Sequence, residues 1–179
     1  ETTALGEAKR DFIGNPIPDF TYSLNTTFRY QSFDVSVFLR GEQGRELFNN
    51  TALEFQTKSN LGQGIGVLAD ALTDGTNESH LPQYSSRWIE DASYLRLDKL
   101  TIGYTLPNAT TFGLRRARVY VSGQNLFLTT PYAGYDPEVN TNVNGADLGF
   151  RTLARPTRGV DYTSYPRSRT FTFGVEVGI

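Results

Sequence analysis

The last residues of the chain, Arg169–Ile179, alternate between apolar side chains and small or polar ones. A period of two places successive side chains on opposite faces of a β-strand. The segment has the length of a tilted membrane strand, about 9–11 residues, whereas strands of soluble sandwiches usually have about 5–6. We therefore predict a strand of an outer-membrane β-barrel, with a soluble β-sandwich as the alternative. The apolar positions are Phe171, Phe173, Val175, Val177 and Ile179.

A second pair of alternating segments predicts a β-hairpin. Apolar side chains dominate the even positions of Phe20–Tyr30 and the odd positions of Phe33–Leu39. A two-residue turn at Gln31–Ser32 requires this change of parity, although Gln-Ser lacks the Gly or Asn that such turns favour. The expected cross-strand pairs are Tyr30 with Phe33, Phe28 with Val35 and Leu24 with Leu39.

Two more strands are predicted, one from about Tyr94 to Leu106 and one beginning at about Arg116. In the first of them, Leu100 and the alternating residues after it are out of phase with Leu97. A slip of this kind near Asp98 indicates either a β-bulge or a strand end that projects beyond the membrane.

The connections between these strands alternate between short and long. Residues 31–32 and 107–115 are short, whereas residues 41–93 and 125–168 are long. Outer-membrane barrels have short periplasmic turns and longer extracellular loops. We therefore expect the two long connections to be extracellular and the C-terminus to be periplasmic. Within the first of them, Ile65–Thr73 has the composition of a short helix.

The mean hydropathy of −0.39 does not contradict a membrane location. A membrane strand turns only every second residue towards lipid, so its average is polar. About five strands cannot close a barrel, for which eight is the known minimum. We therefore expect a processed or cut chain that other polypeptide, encoded upstream, completes. The net charge of −2 gives no basic surface for nucleic acid.

The residue types argue against catalysis. The chain has no cysteine and a single histidine, His80, in a polar segment, which leaves no thiolate nucleophile and no multi-histidine metal site. Glu90 and Asp91 are adjacent on a segment that looks extended, where neighbours point to opposite faces, whereas the carboxyl groups of a glycosidase flank one bond. We expect no enzyme activity and no cofactor.

Two weaker hypotheses concern the long connections. Three aromatic residues there are candidates to stack on a substrate or to contact a lid protein, although they could equally pack the loops together. Oxygen ligands there could also form a loose calcium site, because hard cations accept varied oxygen ligands. The aromatic candidates are Trp88, Tyr132 and Tyr135, and the oxygen ligands are Asp136, Glu138 and Asp147.

Beyond these patterns, most of the chain resembles the C-terminal part of SusC/RagA-type TonB-dependent transporters of Bacteroidota. Four long segments match in the order that the family has them, which makes the resemblance specific. They are Gly14–Asn25 (GNPIPDFTYSLN), Ser86–Pro107 (SRWIEDASYLRLDKLTIGYTLP), Arg118–Asn140 (RVYVSGQNLFLTTPYAGYDPEVN) and Gly159–Ile179 (GVDYTSYPRSRTFTFGVEVGI).

The resemblance implies an all-β fold, in which these strands are the last of a 22-stranded transmembrane barrel. It implies import of oligosaccharides or peptides, a SusD-type lipoprotein as a lid, and energy from TonB. The plug domain and the TonB box of the family are absent from this chain, and Ile179 stands where many outer-membrane proteins end in Phe. Residues expected to line the polar interior are Thr21, Asn25, Arg29, Thr101, Thr172 and Glu176.

The sequence is also compatible with two other functions. A soluble or surface β-domain that binds glycan would show the same alternation, because its apolar face would cover a second sheet. A passive, porin-like barrel would share every strand of the active transporter. Solubility without detergent would identify the first, and the absence of a plug domain and TonB box upstream would identify the second.

Overall fold

The computed structural model of the chain describes residues 12–64, 66–73, 84–139, 141–143, 155–157 and 159–179. These residues divide into two compact units. The sheet unit comprises Pro18–Arg45, Asp91–Glu138 and Ser164–Ile179. The loop unit comprises the described residues within Glu1–Ile17, Glu46–Glu90 and Val139–Thr163.

Long strands dominate the sheet unit, and short strands and helical turns make up the loop unit. None of the helices among the described residues is both long and apolar enough to span a membrane. In chain order the elements are β1 (Phe20–Tyr30), β2 (Phe33–Gln43), β3 (Glu46–Asn49), α1 (Asn50–Phe55), β4 (Ile89–Asp91), β5 (Tyr94–Thr105), β6 (Arg116–Thr129), β7 (Thr141–Val143), β8 (Arg155–Thr157), β9 (Val160–Asp161) and β10 (Thr170–Gly178), with 3₁₀ turns at Lys58–Gln63, Ala69–Leu72, Ser86–Trp88 and Ala109–Phe112.

The sheet unit is one five-stranded antiparallel sheet in the order β1-β2-β5-β6-β10. The hairpin of β1 and β2 has the predicted register, with Tyr30 opposite Phe33 and Leu24 opposite Leu39. At the turn, Gln31 has a φ of 52°, a left-handed value that the type of turn demands of its first central residue. The prediction of a two-residue turn is therefore confirmed. Gln31 occupies a position that favours glycine, so its backbone is strained.

Asp98 forms a β-bulge, as the slip in the alternation predicted. The register of β5 with β2 shifts between Phe38 and Leu39, and the pairing of β5 with β6 is interrupted at the same level. Because one residue is skipped, Leu97 and Leu100 end on the same face of the sheet although their sequence parities differ. The alternative explanation was a strand end that projects beyond the membrane. It is not needed to explain the slip in the alternation.

The register gives the sheet one apolar face and one polar face. Each predicted interior residue lies on the polar face, because it alternates with the apolar positions of its own strand. The apolar face is formed mainly by Leu24, Phe28 and Tyr30 of β1, Phe33, Val35 and Val37 of β2, Leu97, Leu100 and Ile102 of β5, Val119 and Val121 of β6, and Phe171, Phe173, Val175 and Val177 of β10.

The long connections contain more structure than the sequence predicted. The first begins after Gln43 rather than at residue 41, and it contains β3, α1 and β4. The second begins after Thr129 rather than at residue 125, because β6 continues further. Of the helix predicted over Ile65–Thr73, the structure shows a 3₁₀ turn at Ala69–Leu72.

The loop unit has a small core of its own. Strand β3 lies between β4 and β9, and the core contains Ala52, Leu53 and Trp88, with Phe48 packed against it. Helix α1 begins at Asn50 because the side chain of Asn49 accepts a hydrogen bond of 2.8 Å from the backbone N–H of Ala52.

Candidate functional site

A row of hydroxyl groups crosses the polar face of the sheet, with one hydroxyl on each strand. The Thr27 and Ser36 hydroxyls are 2.9 Å apart, as are those of Thr101 and Ser122. Thr172 continues the row on β10, opposite Ser122. Hydroxyl groups both donate and accept hydrogen bonds, so this row is a neutral band that can bind water or a polar solute.

An ionic bridge connects the strands nearer the turns. The Arg118 guanidinium donates to Asp34 of β2 (Nη2–Oδ2, 2.6 Å) and to Glu176 of β10 (Nη1–Oε1, 2.9 Å). A depression of about 490 Å³ beside the bridge is lined by polar residues that include Arg29 and Arg116. This end of the polar face is therefore charged, whereas the middle of the face is neutral.

At the other end of the polar face, Arg96 of β5 is completely buried. Its guanidinium pairs with Asp136 (Nη2–Oδ1, 2.5 Å) and lies 2.9 Å from Oε2 of Glu138. It also donates to the side-chain oxygen of Asn125, a residue of β6 with a φ of 53°. A buried guanidinium is tolerated only when it is paired in this way.

Arg40 of β2 shares Glu138 with Arg96. It forms two hydrogen bonds with Glu138, of 2.6 and 2.7 Å, and one of 2.7 Å with Asp98 in the bulge. It also donates to the Tyr94 hydroxyl at 2.8 Å. Arg167 lies 3.5 Å from Glu138. We call this group the buried charge cluster, after Arg96 at its centre, which is completely buried, whereas Arg167 at its edge is half exposed. Its charged members are Arg40, Arg96, Arg167, Asp98, Asp136 and Glu138.

The sequence did not predict the buried charge cluster. Asp136 and Glu138 were considered as calcium ligands, and here they pair with arginines. Asp147, the third of those ligands, lies outside the described residues, as does His80. Among the residues that the structure describes, no three acidic, histidine or cysteine side chains are grouped to hold a metal ion. The one signal of this cluster in the sequence was the presence of two arginines, Arg40 and Arg96, at polar positions of strands.

The three candidate aromatic residues have different environments. Trp88 is 6% exposed in the core of the loop unit, where the Arg87 guanidinium lies 4.8 Å from its ring centroid. Tyr132 is 5% exposed in the sheet unit, whereas Tyr135 is 75% exposed. Of the three side chains, only that of Tyr135 is exposed, whereas those of Trp88 and Tyr132 are buried. Contact with a substrate or a lid protein stays a prediction for all three.

The carboxylates Glu90 and Asp91 lie in β4, so the extended segment predicted for them is present. Glu90 accepts a hydrogen bond of 2.9 Å from the side-chain amide of Asn49. Asp91 accepts one of 2.8 Å from the backbone N–H of Ser93. Both carboxylates have local structural partners, and they do not form a pair that flanks a substrate bond.

The apolar face of the sheet is exposed even at its centre. Ile102 and Val119 lie on strands that have neighbours on both sides, yet they remain 42% and 44% exposed. Phe173 on β10 is 81% exposed. In a sandwich a second sheet would cover these side chains, and none of the described residues does so.

The chain is similar to curated proteins and to solved structures of one class. No protein-family model matches the sequence. The TonB-dependent receptor P3 of Formosa agariphila is 35% identical over 182 residues, which cover 97% of this chain and 18% of the receptor. The TonB-dependent receptor SusC of Bacteroides thetaiotaomicron is 27% identical over 90% of this chain and 15% of its own length. The chain thus spans less than a fifth of the relatives that it matches.

A solved structure has the same fold. The RagAB peptide importer in its open-open state superposes with a TM-score of 0.68 and 22% identity, over 91% of this chain and 17% of that one. At this identity the likeness is evidence of fold alone. The five-stranded sheet is therefore a segment of a transmembrane β-barrel, and the fold class predicted from the sequence is confirmed.

Proposed function

Because this chain belongs to the TonB-dependent receptors, we propose that it forms part of the wall of an outer-membrane importer. The observation that supports this most directly is the register of the five long strands, which collects their apolar side chains on one uncovered face. That face contacts lipid, and the face with the hydroxyl row contacts the interior of the barrel. The transported solutes are oligosaccharides or peptides.

The rest of the function requires polypeptide outside this chain. The remaining strands and the plug complete the barrel, TonB supplies energy through them, and a SusD-type lipoprotein covers the substrate side. The short turn at Gln31–Ser32 faces the periplasm, as does the C-terminus. The long connections face outward and contribute substrate or lid contacts, among which Tyr135 is the exposed candidate. No residue of the chain performs covalent chemistry.

Spin labels on β2 test the assignment of the two faces. In the complete receptor, freed of other cysteines and reconstituted in lipid vesicles, single nitroxides are placed at Val35, Ser36 and Val37. The labels at the two valines should collide with oxygen, which concentrates in lipid. The label at Ser36 should collide with a water-soluble nickel chelate. Labels at the valines that meet neither reagent would indicate a covered sandwich and would reject the barrel.

Uptake measurements test active import. Cells that lack the complete receptor should lose uptake of labelled oligosaccharides or of labelled peptides, and the complete gene should restore it. Dissipating the inner-membrane proton gradient should stop uptake, because TonB would then transmit no energy. Uptake that continues after dissipation would identify a passive pore instead.

A further inference from the structure

Tyr135 is an exposed residue attached to a buried segment. Its side chain is 75% exposed, whereas Asp136, the next residue, is 5% exposed and Pro137 is fully buried. The proline ring fixes its own φ and restricts Asp136 before it. The aromatic ring is thus displayed from a backbone that has little freedom to move.

The buried charge cluster immobilises that backbone. Asp136 pairs with Arg96 and also accepts a hydrogen bond of 2.9 Å from the backbone N–H of Glu138. Glu138 in turn is bound by Arg40 and lies near Arg96 and Arg167. The segment that follows Tyr135 is therefore held by arginines of β2, of β5 and of the segment before β10.

We propose that the buried charge cluster is a positioning device that holds Tyr135 as an aromatic platform for a neutral sugar ring. This inference rests on the proposed import function and specifies a contact on the substrate side. A tyrosine ring offers a large apolar surface at a low entropic cost, and a hydroxyl at its edge. Holding the ring in advance of binding removes the cost of ordering it when the solute arrives.

The charge of the cluster favours a neutral ligand. The cluster contains three guanidinium groups and three carboxylates, which pair with one another, so the cluster itself has no net charge to attract a charged peptide terminus. The apolar face of a pyranose ring needs no counter-charge and fits a flat aromatic surface. A peptide would be expected to use unpaired charges, which the cluster does not supply.

Binding assays on the complete receptor test the platform. The probes are an array of neutral oligosaccharides and an array of short peptides. Tyr135→Ala should weaken oligosaccharide binding about tenfold, the usual effect of removing a central aromatic contact, whereas Tyr135→Phe should stay within about twofold because the ring is kept. Tyr165→Ala is the matched control, because Tyr165 is 93% exposed in the same unit.

The outcomes of this assay are distinct. Binding of peptides alone, with the same dependence on Tyr135, would overturn the ligand class. Equal loss with Tyr165→Ala, or no binding on either array, would overturn the role of Tyr135. None of these results would change the nitroxide accessibilities of β2, so failure of this inference is distinguishable from failure of the proposed function.

A nitroxide at position 135 tests the positioning role. Its spectrum should be immobilised, and one at position 165 should be mobile. Glu138→Gln should mobilise the label at 135 and leave that at 165 unchanged. Should Glu138→Gln fail to fold, Asp136→Asn is the milder variant, since the amide oxygen can still accept from the Glu138 N–H. An unchanged spectrum in a folded variant would overturn the positioning role.

Discussion

Arg118 pairs with Asp34 across an intervening strand, over the bare backbone of Gly103. Arg118 lies on β6 and Asp34 on β2, and β5 runs between them. The pair has two hydrogen bonds, of 2.6 and 3.0 Å. A Cβ at Gly103 would lie 2.4 Å from Nη2 of Arg118 and 2.6 Å from Oδ1 of Asp34. Because Gly103 has no side chain, Arg118 and Asp34 can pair across β5 at this position.

Gly103→Ala should break this pair and leave the strand in place. The clash involves the end of a flexible arginine side chain, so the guanidinium moves rather than the backbone. We expect a loss of about 1–3 kcal/mol in the free energy of unfolding, because two hydrogen bonds between charged groups are lost and the two side chains are only 13% and 18% exposed. Urea unfolding of the complete receptor in lipid vesicles measures it. Gly62→Ala is the control, since a Cβ there meets nothing within 4 Å; an equal loss in both variants would contradict the mechanism.

Adjacent residues of β5 should differ sharply in their tolerance of charge. Ile102→Arg puts a guanidinium on the lipid side and should cost about 2–4 kcal/mol, the range for arginine near the middle of a bilayer. Thr101→Arg puts it on the polar side and should cost less than about 1 kcal/mol, for the hydroxyl contact with Ser122 that is lost. The same unfolding assay compares the two variants. Equal costs would show that both faces of the strand have the same surroundings.

The parts of the structure that the sequence predicted follow from local patterns. Alternation with a period of two identifies strands, and a change of parity across Gln31–Ser32 fixes the register of the hairpin. The bulge was visible because it disturbs the alternation on the same strand. Each of these features can be recognised within a few residues of chain.

The buried charge cluster could not be predicted in this way. Its central contact joins Arg40 to Glu138, which are 98 residues apart. No periodic pattern relates positions at such a distance, and the choice among several carboxylates depends on where the second long connection folds. For a similar reason β3 and β9 were missed, because strands of four and two residues are too short to show alternation.

Arg96→Met should be among the most destabilising substitutions in the sheet unit. It leaves Asp136 without its cation and removes a guanidinium 2.9 Å from Glu138. Breaking one side of a buried ion pair costs about 3–5 kcal/mol. Arg116→Met is the control, because Arg116 is exposed and has no ion pair among the described residues. Thermal unfolding followed by circular dichroism measures both; a small effect of Arg96→Met would mean that water reaches the cluster.

Gln31→Gly should stabilise the hairpin. Gln31 has a left-handed backbone, with a φ of 52°, which costs a residue with a side chain about 1–3 kcal/mol. Glycine adopts this conformation freely but loses more chain entropy on folding. The net gain should be about 0.5–1 kcal/mol. Ser32→Gly has no such strain to relieve and should be slightly destabilising in the same assay. A gain in both variants would mean that crowding of side chains, and not the backbone conformation of Gln31, destabilises the turn.

Deleting Asp98 should leave the side chains of β5 on their present faces. Asp98 is the one residue of β5 that the pairing skips, between Leu97 and Lys99. Without it, Leu97 and Leu100 are two positions apart, so ordinary alternation still places both on the apolar face. The deletion should therefore resemble Asp98→Ala, since both variants lose the hydrogen bond with Arg40. The measure is the fraction of receptor that resists unfolding by sodium dodecyl sulfate before heating.

Deleting Ser36 is the contrasting variant. Ser36 is paired on both sides, with Thr27 and Thr101. Its deletion makes Val35 and Val37 neighbours and turns them to opposite faces of β2, so most of the folded receptor should be lost. An equally large loss on deleting Asp98 would show that the bulge is needed for more than the placement of side chains on the two faces.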